Sequence, residues 1–375
     1  MAGFDFNAIK ASIVGLFVKE IPIGIDITND TIVMVEIKKI KDILQLEKLA
    51  IGATPPDTFR DGEVVNAEAL ADAVAELWAT NGFKAKKAIT AVSGQSAITR
   101  PVRFPVMPDE ELKEVITFEA ERHIPFSLDE VYIDFQKLGE VQEEGQTRLD
   151  VLLVAAQKQL VNSYVSMAKL ANLEIVVVDI ASFAVARALQ GAEHGLADDD
   201  QAIASILIRS DTTDINVLKN GIPRFSRSVP LGTNSLVDVI ANSLYMTPKE
   251  AGTLLDEMVL SIPGHEEQIP QRIEDAAEII KPVLHELYDE IQRSVNFFQA
   301  QGTDTVARVV LSGRGAKIRN LDKFLNSRLG IDVEIGDPLS RLKFDEAQFP
   351  PDFLRVNAPL LTTGIGLALR GVEGD

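Results

Sequence analysis

Two stretches far apart in this chain carry the same short plan. In Ile21-Pro-Ile-Gly-Ile-Asp-Ile-Thr-Asn-Asp-Thr-Ile-Val-Met-Val-Glu-Ile37, residues 23–27 read as a strand with Ile23, Ile25 and Ile27 on one face. Thr28-Asn29-Asp30-Thr31 is a polar turn, and residues 32–37 return as a second strand. Ser205-Ile-Leu-Ile-Arg-Ser-Asp-Thr-Thr-Asp-Ile-Asn-Val-Leu218 is again strand, Ser/Asp/Thr turn and strand. A fold of two related halves is the simplest account of the repetition. Asp26 then stands just before a tight turn, where a strand end can aim a carboxylate at a cleft. Taken alone, the segment reads better as an ordinary hairpin with a surface acid.

Composition narrows the classes of function. With 375 residues, 46% of them hydrophobic and 25% charged, the chain has the make-up of a soluble protein with room for two cores. The longest apolar run, Ile175 to Leu189, is interrupted by Asp179 and Arg187, too short and too charged to span a bilayer. There is no signal-peptide series, and no cysteine, so disulfides, thiolate metal sites and cysteine nucleophiles are excluded. These features fit a cytoplasmic protein. A net charge of −19 argues against nucleic acid or an anionic bilayer as a broad-surface partner, while leaving room for a local basic patch.

In chain order, Phe4 to Lys19 reads as a short amphipathic helix that docks on its own domain, a partner or a membrane. After the opening hairpin come a strand at 43–53, a helix capped by Asn66 and closed by Asn81-Gly82, and a strand at 88–92. Residues 96–172 form an inserted unit of strand, helix, two strands and helix. Asp109-Glu110-Glu111 opens its first helix and Arg122-His123 closes it, matching the helix dipole; a loop at Glu140 to Gln146 joins its later strands. A strand (173–179), a helix (181–189) and an acidic linker (191–201) follow. The second half has strands at 203–209, 213–219 and 222–229, then helices near Thr233 and at Lys249–Met258. A long helix (271–301) containing Pro282 leads to a strand (306–311), a helix (318–329), a strand (332–335), an irregular stretch (337–356) and a final helix (357–370).

The chain resembles the actin/FtsA-like ATPase superfamily, and within it most closely the PilM family of type IV pilus assembly proteins. The resemblance covers nearly the whole length. It is carried by Thr99-Arg-Pro-Val-Arg-Phe-Pro-Val-Met-Pro-Asp-Glu-Glu-Leu112 with Phe118-Glu-Ala-Glu-Arg-His-Ile-Pro-Phe126, supported by Val229-Pro-Leu-Gly232 and Leu311-Ser-Gly313. It implies an α/β, actin-like, two-lobe fold of duplicated ribonuclease-H-like halves with an inserted FtsA/PilM-type 1C subdomain. The expected division is an N-terminal segment (1–20), a first lobe (21–95 and 173–197), the insertion (96–172), a second lobe (202–245 and 302–375) and a helical subdomain (246–301).

The resemblance further implies an ATP/Mg cleft. Asp26, Thr28, Asn29, Asp30 and Thr31 would face the nucleotide from one lobe, and Ser210, Asp211, Thr212 and Thr213 from the other. Gly313, Arg314, Gly315 and Ala316 would face the base. Glycine serves close backbone approach to phosphate, and acidic strand ends hold Mg²⁺ through water. Four departures stand out. The first turn reads Asp26-Ile27-Thr28 where the family has Asp-Ile-Gly, and Leu207 and Arg209 occupy the matching places in the second. Arg314 replaces a glycine, and Gly252 and Leu255 replace the acid and lysine beside the ribose. Lost hydrolysis and weak or absent nucleotide binding are the expectation, so no catalytic residue is assigned.

For partners, the resemblance implies that a PilN-like inner-membrane protein places its cytoplasmic tail between the first lobe and the insertion. Phe118 and Arg122 are candidate groove residues, or equally core and surface helix positions. Other pilus assembly proteins and self-association are further expectations, with no nucleic acid and the membrane met only indirectly, from the cytoplasmic side. The rival readings are an active ATPase of the same fold and an FtsA-like filament-forming division protein. The ending Leu369-Arg-Gly-Val-Glu-Gly-Asp375, without an amphipathic tail, disfavours the latter. The four histidines are scattered without a zinc spacing, there is no P-loop, and Ser166-x-x-Lys169 is a chance match to a hydrolase fragment.

Overall fold

The alternation of Ile23, Ile25 and Ile27 is realised as β1 (Ile23–Ile27), the middle strand of the first sheet. The computed structural model describes residues 20–60, 62–143, 145–191, 201–262, 268–302 and 304–373. The expected N-terminal helix and most of the acidic linker lie outside the described residues. The chain divides into two units, one made of 1–187, 222–226 and 364–375, the other of 188–221 and 227–363.

In the first unit, β2 (Thr31–Ile40) and β3 (Ile43–Ala53) follow β1, then the two-residue strands β4 (Phe59–Arg60) and β5 (Glu63–Val64). Next come α1 (Ala67–Thr80), β6 (Lys87–Val92), β7 (Ala97–Pro105), α2 (Asp109–His123), β8 (Val131–Glu143) and β9 (Gln146–Gln157). α3 (Lys158–Leu170), β10 (Glu174–Ile180) and α4 (Ala181–Leu189) complete the series. The sheet runs β10-β6-β1-β2-β3, with β1 antiparallel to β2 and parallel to β6. Ile23, Ile25, Ile27, Ile32 and Met34 point to one face, where α1 and α3 cover them. Each such buried isoleucine contributes roughly 2 kcal/mol.

The opposite face is packed backbone to backbone. A Cβ on Gly24 would lie 2.5 Å from the amide nitrogen of Ala368, in the C-terminal helix. Residues 364–373, grouped by sequence with the second lobe, therefore pack with the first unit; Gly24 lets this helix come close to the sheet, and Gly366 lets it come close to Ala184 of α4.

The inserted unit is smaller than its sequence boundaries. Its sheet, ordered β7-β9-β8, and α2 share a core of their own around Phe104, Leu112, Ile116, Val151 and Leu153. α3 does not join them: Leu160, Val161, Tyr164 and Met167 belong to the main core beside α1, and Ser163 Oγ accepts the Val64 N–H. β8 and β9 extend into the stretch 140–146 expected as a loop, with Glu143 paired across to Gln146. That hairpin end is polar and exposed, so no apolar alternation marks it in the sequence.

The second unit repeats the plan. β11 (Ala202–Ile208) is flanked by antiparallel β12 (Thr213–Lys219) and by parallel β14 (Val306–Ser312), with β13 (Ile222–Val229) and β15 (Asp332–Ile335) outermost. The sheet orders β3-β2-β1-β6-β10 and β13-β12-β11-β14-β15 thus correspond strand for strand. Helices α5 (Thr233–Leu244), α6 (Pro248–Asp256), α7 (Gln271–Ala300) and α8 (Leu321–Leu329) complete this half, with a short strand β16 (Leu342–Lys343). A 3-10 turn at 314–317 and left-handed Asn320 delay α8 relative to its expected start at 318. The final helix, α9 (Pro351–Glu373), begins inside the stretch expected to be irregular. Proline is accepted in a first helical turn, where its missing N–H has no intrahelical partner to lose.

Candidate functional site

The first repeated turn closes on itself. The Thr28 N–H donates to the Thr31 carbonyl at 2.8 Å, and the Thr28 hydroxyl donates to Asp30 at 2.7 Å while accepting the Thr31 N–H at 3.1 Å. Thr54 ties the turn from outside, its hydroxyl donating to the Thr28 carbonyl at 2.8 Å and its N–H to the Asp30 carbonyl at 3.1 Å. The Thr28 hydroxyl is thus committed to bonds within the turn itself. Asp26 lies on the same side of β1 as Gly24, toward α9, and is only 6% exposed.

The second repeated turn is built differently. The Arg209 N–H donates to the Thr212 carbonyl, and the start of α5 folds back over the turn. The Thr233 N–H donates to the Arg209 carbonyl at 2.9 Å and the Asn234 N–H to the Ser210 carbonyl at 2.7 Å. This crossing needs Gly232, whose Cβ would sit 2.6 Å from the Ser210 carbonyl carbon. Thr213 is held by its hydroxyl, which donates to the Leu231 carbonyl at 2.6 Å. The hydroxyls of Ser210, Thr212 and Thr233 are buried with no hydrogen-bond partner. Three unpartnered hydroxyls beside a helix amino terminus are a costly arrangement for the apo protein, since each orphaned group costs about 1–3 kcal/mol. An anionic, oxygen-rich group would satisfy them, so the residues fit a phosphate.

The glycine-containing turn joins the same neighbourhood. Gly313 has φ +82° and donates its N–H to the Pro359 carbonyl at 2.8 Å. A Cβ there would collide with the Ile208 carbonyl, and one on Gly315 would reach the Ile208 Cβ at 2.7 Å. Residues 313–316 are thus pressed on the end of β11, next to the 209–213 turn. Leu207 is buried beneath Gly313 and offers only hydrocarbon. Arg314 runs toward α6, where its guanidinium pairs with Asp256 at 3.3 Å and lies near Gly252. Burial lowers the Arg314 pKa, and burial lowers that of Lys317 against the pull of Asp256. Burial raises the Asp256 carboxyl, outweighing the attraction of Lys317. Gly232, Thr233, Gly252 and Asp256 lie around these turns; of these, Asp256 alone carried no signal in the sequence.

Phe118 and Arg122 stand one turn apart on α2, away from its core face of Leu112, Ile116 and Ala120. Phe118 is 75% exposed, and Arg122 pairs with Glu119 at 3.1 Å. Among the described residues no three histidine, aspartate or glutamate side chains gather as a metal site, and no helix is long and apolar enough to cross a membrane.

A family model described as type IV pilus assembly protein PilM matches residues 24–372. A solved PilM-PilN type IV pilus biogenesis complex is similar at TM-score 0.82 and 27% identity, covering 94% of this chain and 98% of that one. The ethanolamine utilization protein EutJ of Carboxydothermus hydrogenoformans is similar at TM-score 0.55 and 18% identity, over 95% and 92% of the two chains. MreB 5 of Spiroplasma citri bound to AMPPNP is similar at 0.51 and 13%, over 93% and 95%. The last two speak for an actin-like fold alone. A curated relative, type II secretion system protein L of Xanthomonas campestris pv. campestris, is 38% identical over 66 residues, 18% of this chain; the match spans only 17% of that relative's length.

Proposed function

The chain belongs to the family of type IV pilus assembly proteins described as PilM, and on that premise we propose that it is a non-hydrolysing actin-like scaffold. It works on the cytoplasmic side of the inner membrane, holding the tail of a PilN-like membrane protein. The observation that carries this reading is the extent of the likeness to the PilM-PilN complex. At 94% coverage it leaves no room for the inserted unit to be missing from the match. The tail runs along the inserted unit, with Phe118 as its apolar anchor and Arg122 beside it. An aromatic side chain left largely in water is worth about 2 kcal/mol when a partner covers it. Both outer strands of the inserted sheet, β7 and β8, offer an edge to an extended peptide. Other pilus assembly proteins and a second copy of the chain are further partners this reading expects.

ATP with Mg is the cofactor the resemblance implies. When bound, it supplies a polyanion that the Ser210, Thr212 and Thr233 hydroxyls and the amino terminus of α5 would hold. Leu207 cannot orient a water, and Arg314 takes up room beside the 313–316 turn, so the site retains phosphate binding and loses hydrolysis. This is a stronger expectation for binding than the sequence alone supports, and it rests on the three unpartnered hydroxyls.

Titration of a labelled PilN-like tail peptide into the full chain tests the main reading: Phe118→Ala should weaken binding about tenfold, or 1.4 kcal/mol. Absence of binding to the folded wild type would sink it. Steady phosphate release from Mg-ATP would instead favour the active ATPase. In either case Arg314→Gly should tighten nucleotide several-fold while leaving tripolyphosphate unchanged.

A further inference from the structure

The chain has 56 acidic against 37 basic residues, yet one end of the first sheet reverses that balance. Residues 38–48 and 82–87 hold Lys38, Lys39, Lys41, Lys48, Lys84, Lys86 and Lys87 against Asp42 and Glu47, and the fold adds Glu20, Glu36 and Glu174 to the same end, which keeps an excess of lysine. The fold brings the two stretches together. β1 starts at this end and β2 returns to it, so the β2–β3 turn, Lys41-Asp42, lies opposite the 28–31 turn. Lys48 Nζ bonds the Gly82 carbonyl and lies 5.7 Å from the Phe83 ring centre. The Lys86 N–H donates to Glu20 at 2.6 Å, and its ammonium sits 3.8 Å over the Trp78 ring.

At the tip of this basic end, Ile40 and Ile43 face each other across the turn, 51% and 52% exposed. Lys38 is engaged by Glu47 and Glu36, whereas Lys39 and Lys41, adjacent in sequence to the isoleucine pair, and Lys84, in the second stretch, are exposed.

We propose that this end of the first sheet is a docking surface for an anionic phospholipid bilayer. The lysines meet the headgroup charge and the isoleucine pair enters the boundary below it. A nucleic acid would satisfy the lysines while leaving both isoleucines in water, and an acidic protein face would need an apolar counterpart to cover them. The geometry also suits a peripheral protein, because the opposite end of the sheet, with the 28–31 turn, stays clear of the surface. Binding is modest and salt-sensitive, since each lysine near an anionic surface contributes about a fivefold gain and exposed charges are screened. The inference stands independently of the tail-binding reading and needs no partner protein for its test.

The test is co-sedimentation of the full chain with vesicles of phosphatidylglycerol and phosphatidylcholine at low ionic strength. The expected result is binding to the mixed vesicles, none to phosphatidylcholine alone, and release by salt. Replacing Lys39, Lys41 and Lys84 together by Gln should cut partitioning about 100-fold, and Ile40→Ser with Ile43→Ser about tenfold. These side chains are exposed, and unchanged thermal melting of the variants confirms folding. No binding to the mixed vesicles overturns the proposal. So does binding that survives the lysine variant, which would place the contact elsewhere. Vesicle binding that ignores the isoleucines but is matched by RNA would mark a general polyanion surface and overturn the bilayer assignment.

Discussion

The two repeated turns occupy the same place in two matching sheets, yet their polar groups meet opposite fates. In the first, Thr28, Asp30, Thr31 and Thr54 consume one another's donors and acceptors. In the second, the start of α5 satisfies the turn's carbonyls and leaves the Ser210, Thr212 and Thr233 hydroxyls buried without partners. The sheet order is the same in both halves, while the hydrogen-bonding state of the two turns differs. Two turns at the same place in matching sheets can thus differ in free hydrogen-bonding capacity without any strand having moved.

The strongest challenge to this contrast is Gly232→Val. The new side chain would collide with the Ser210 backbone, and a loss of about 3 kcal/mol in a denaturant titration is expected. A change under about 0.5 kcal/mol would mean the crossing of α5 over the turn is not as tight as described. Next, Ser210→Ala with Thr233→Val should lower tripolyphosphate affinity about tenfold and raise the melting temperature, because orphaned hydroxyls are removed. Falling stability with unchanged affinity would invert the assignment of the second turn. The complementary change, Thr28→Val in the first turn, should cost about 1 kcal/mol and leave anion binding untouched.

The smallest effect concerns α6, which borders the Arg314 side of the second site. The Thr247 N–H and hydroxyl hold the Glu250 carboxyl below its ordinary value near 4.5. A depressed carboxylate stabilises the folded state above that ordinary value and loses this as pH falls through the lower folded one. Glu250→Gln should therefore flatten the acid side of α6 amide protection measured by hydrogen exchange; an unchanged profile would show that the capping box does not set it.

Much of the fold could be read before any coordinates. β1, β3, α2, α4, β12, β13 and β15 fall at their expected bounds, because alternation, dipole-matched ends and Asn/Gly turns are local signals. The misplacements share one cause. The polar hairpin at 143–146, the early start of α9 at Pro351 and the late start of α8 all sit where hydrophobic periodicity is silent. α3 was read correctly as a helix but assigned to the wrong core, since its apolar stripe could serve either sheet. At the site, the sequence singled out both turns, the glycine-containing segment and Gly252, but it missed Thr54 and Asp256, which reach them from distant elements.

By itself, then, the sequence determined two related sheets, each with a polar turn at the end of its central strand, because a strand's period and a turn's residue types are properties of neighbours. Which turn still has hydrogen bonds to give was decided only in three dimensions. That outcome depends on Thr54 crossing to one turn and the start of α5 crossing to the other, and no local pattern records how far a donor will travel to find its acceptor.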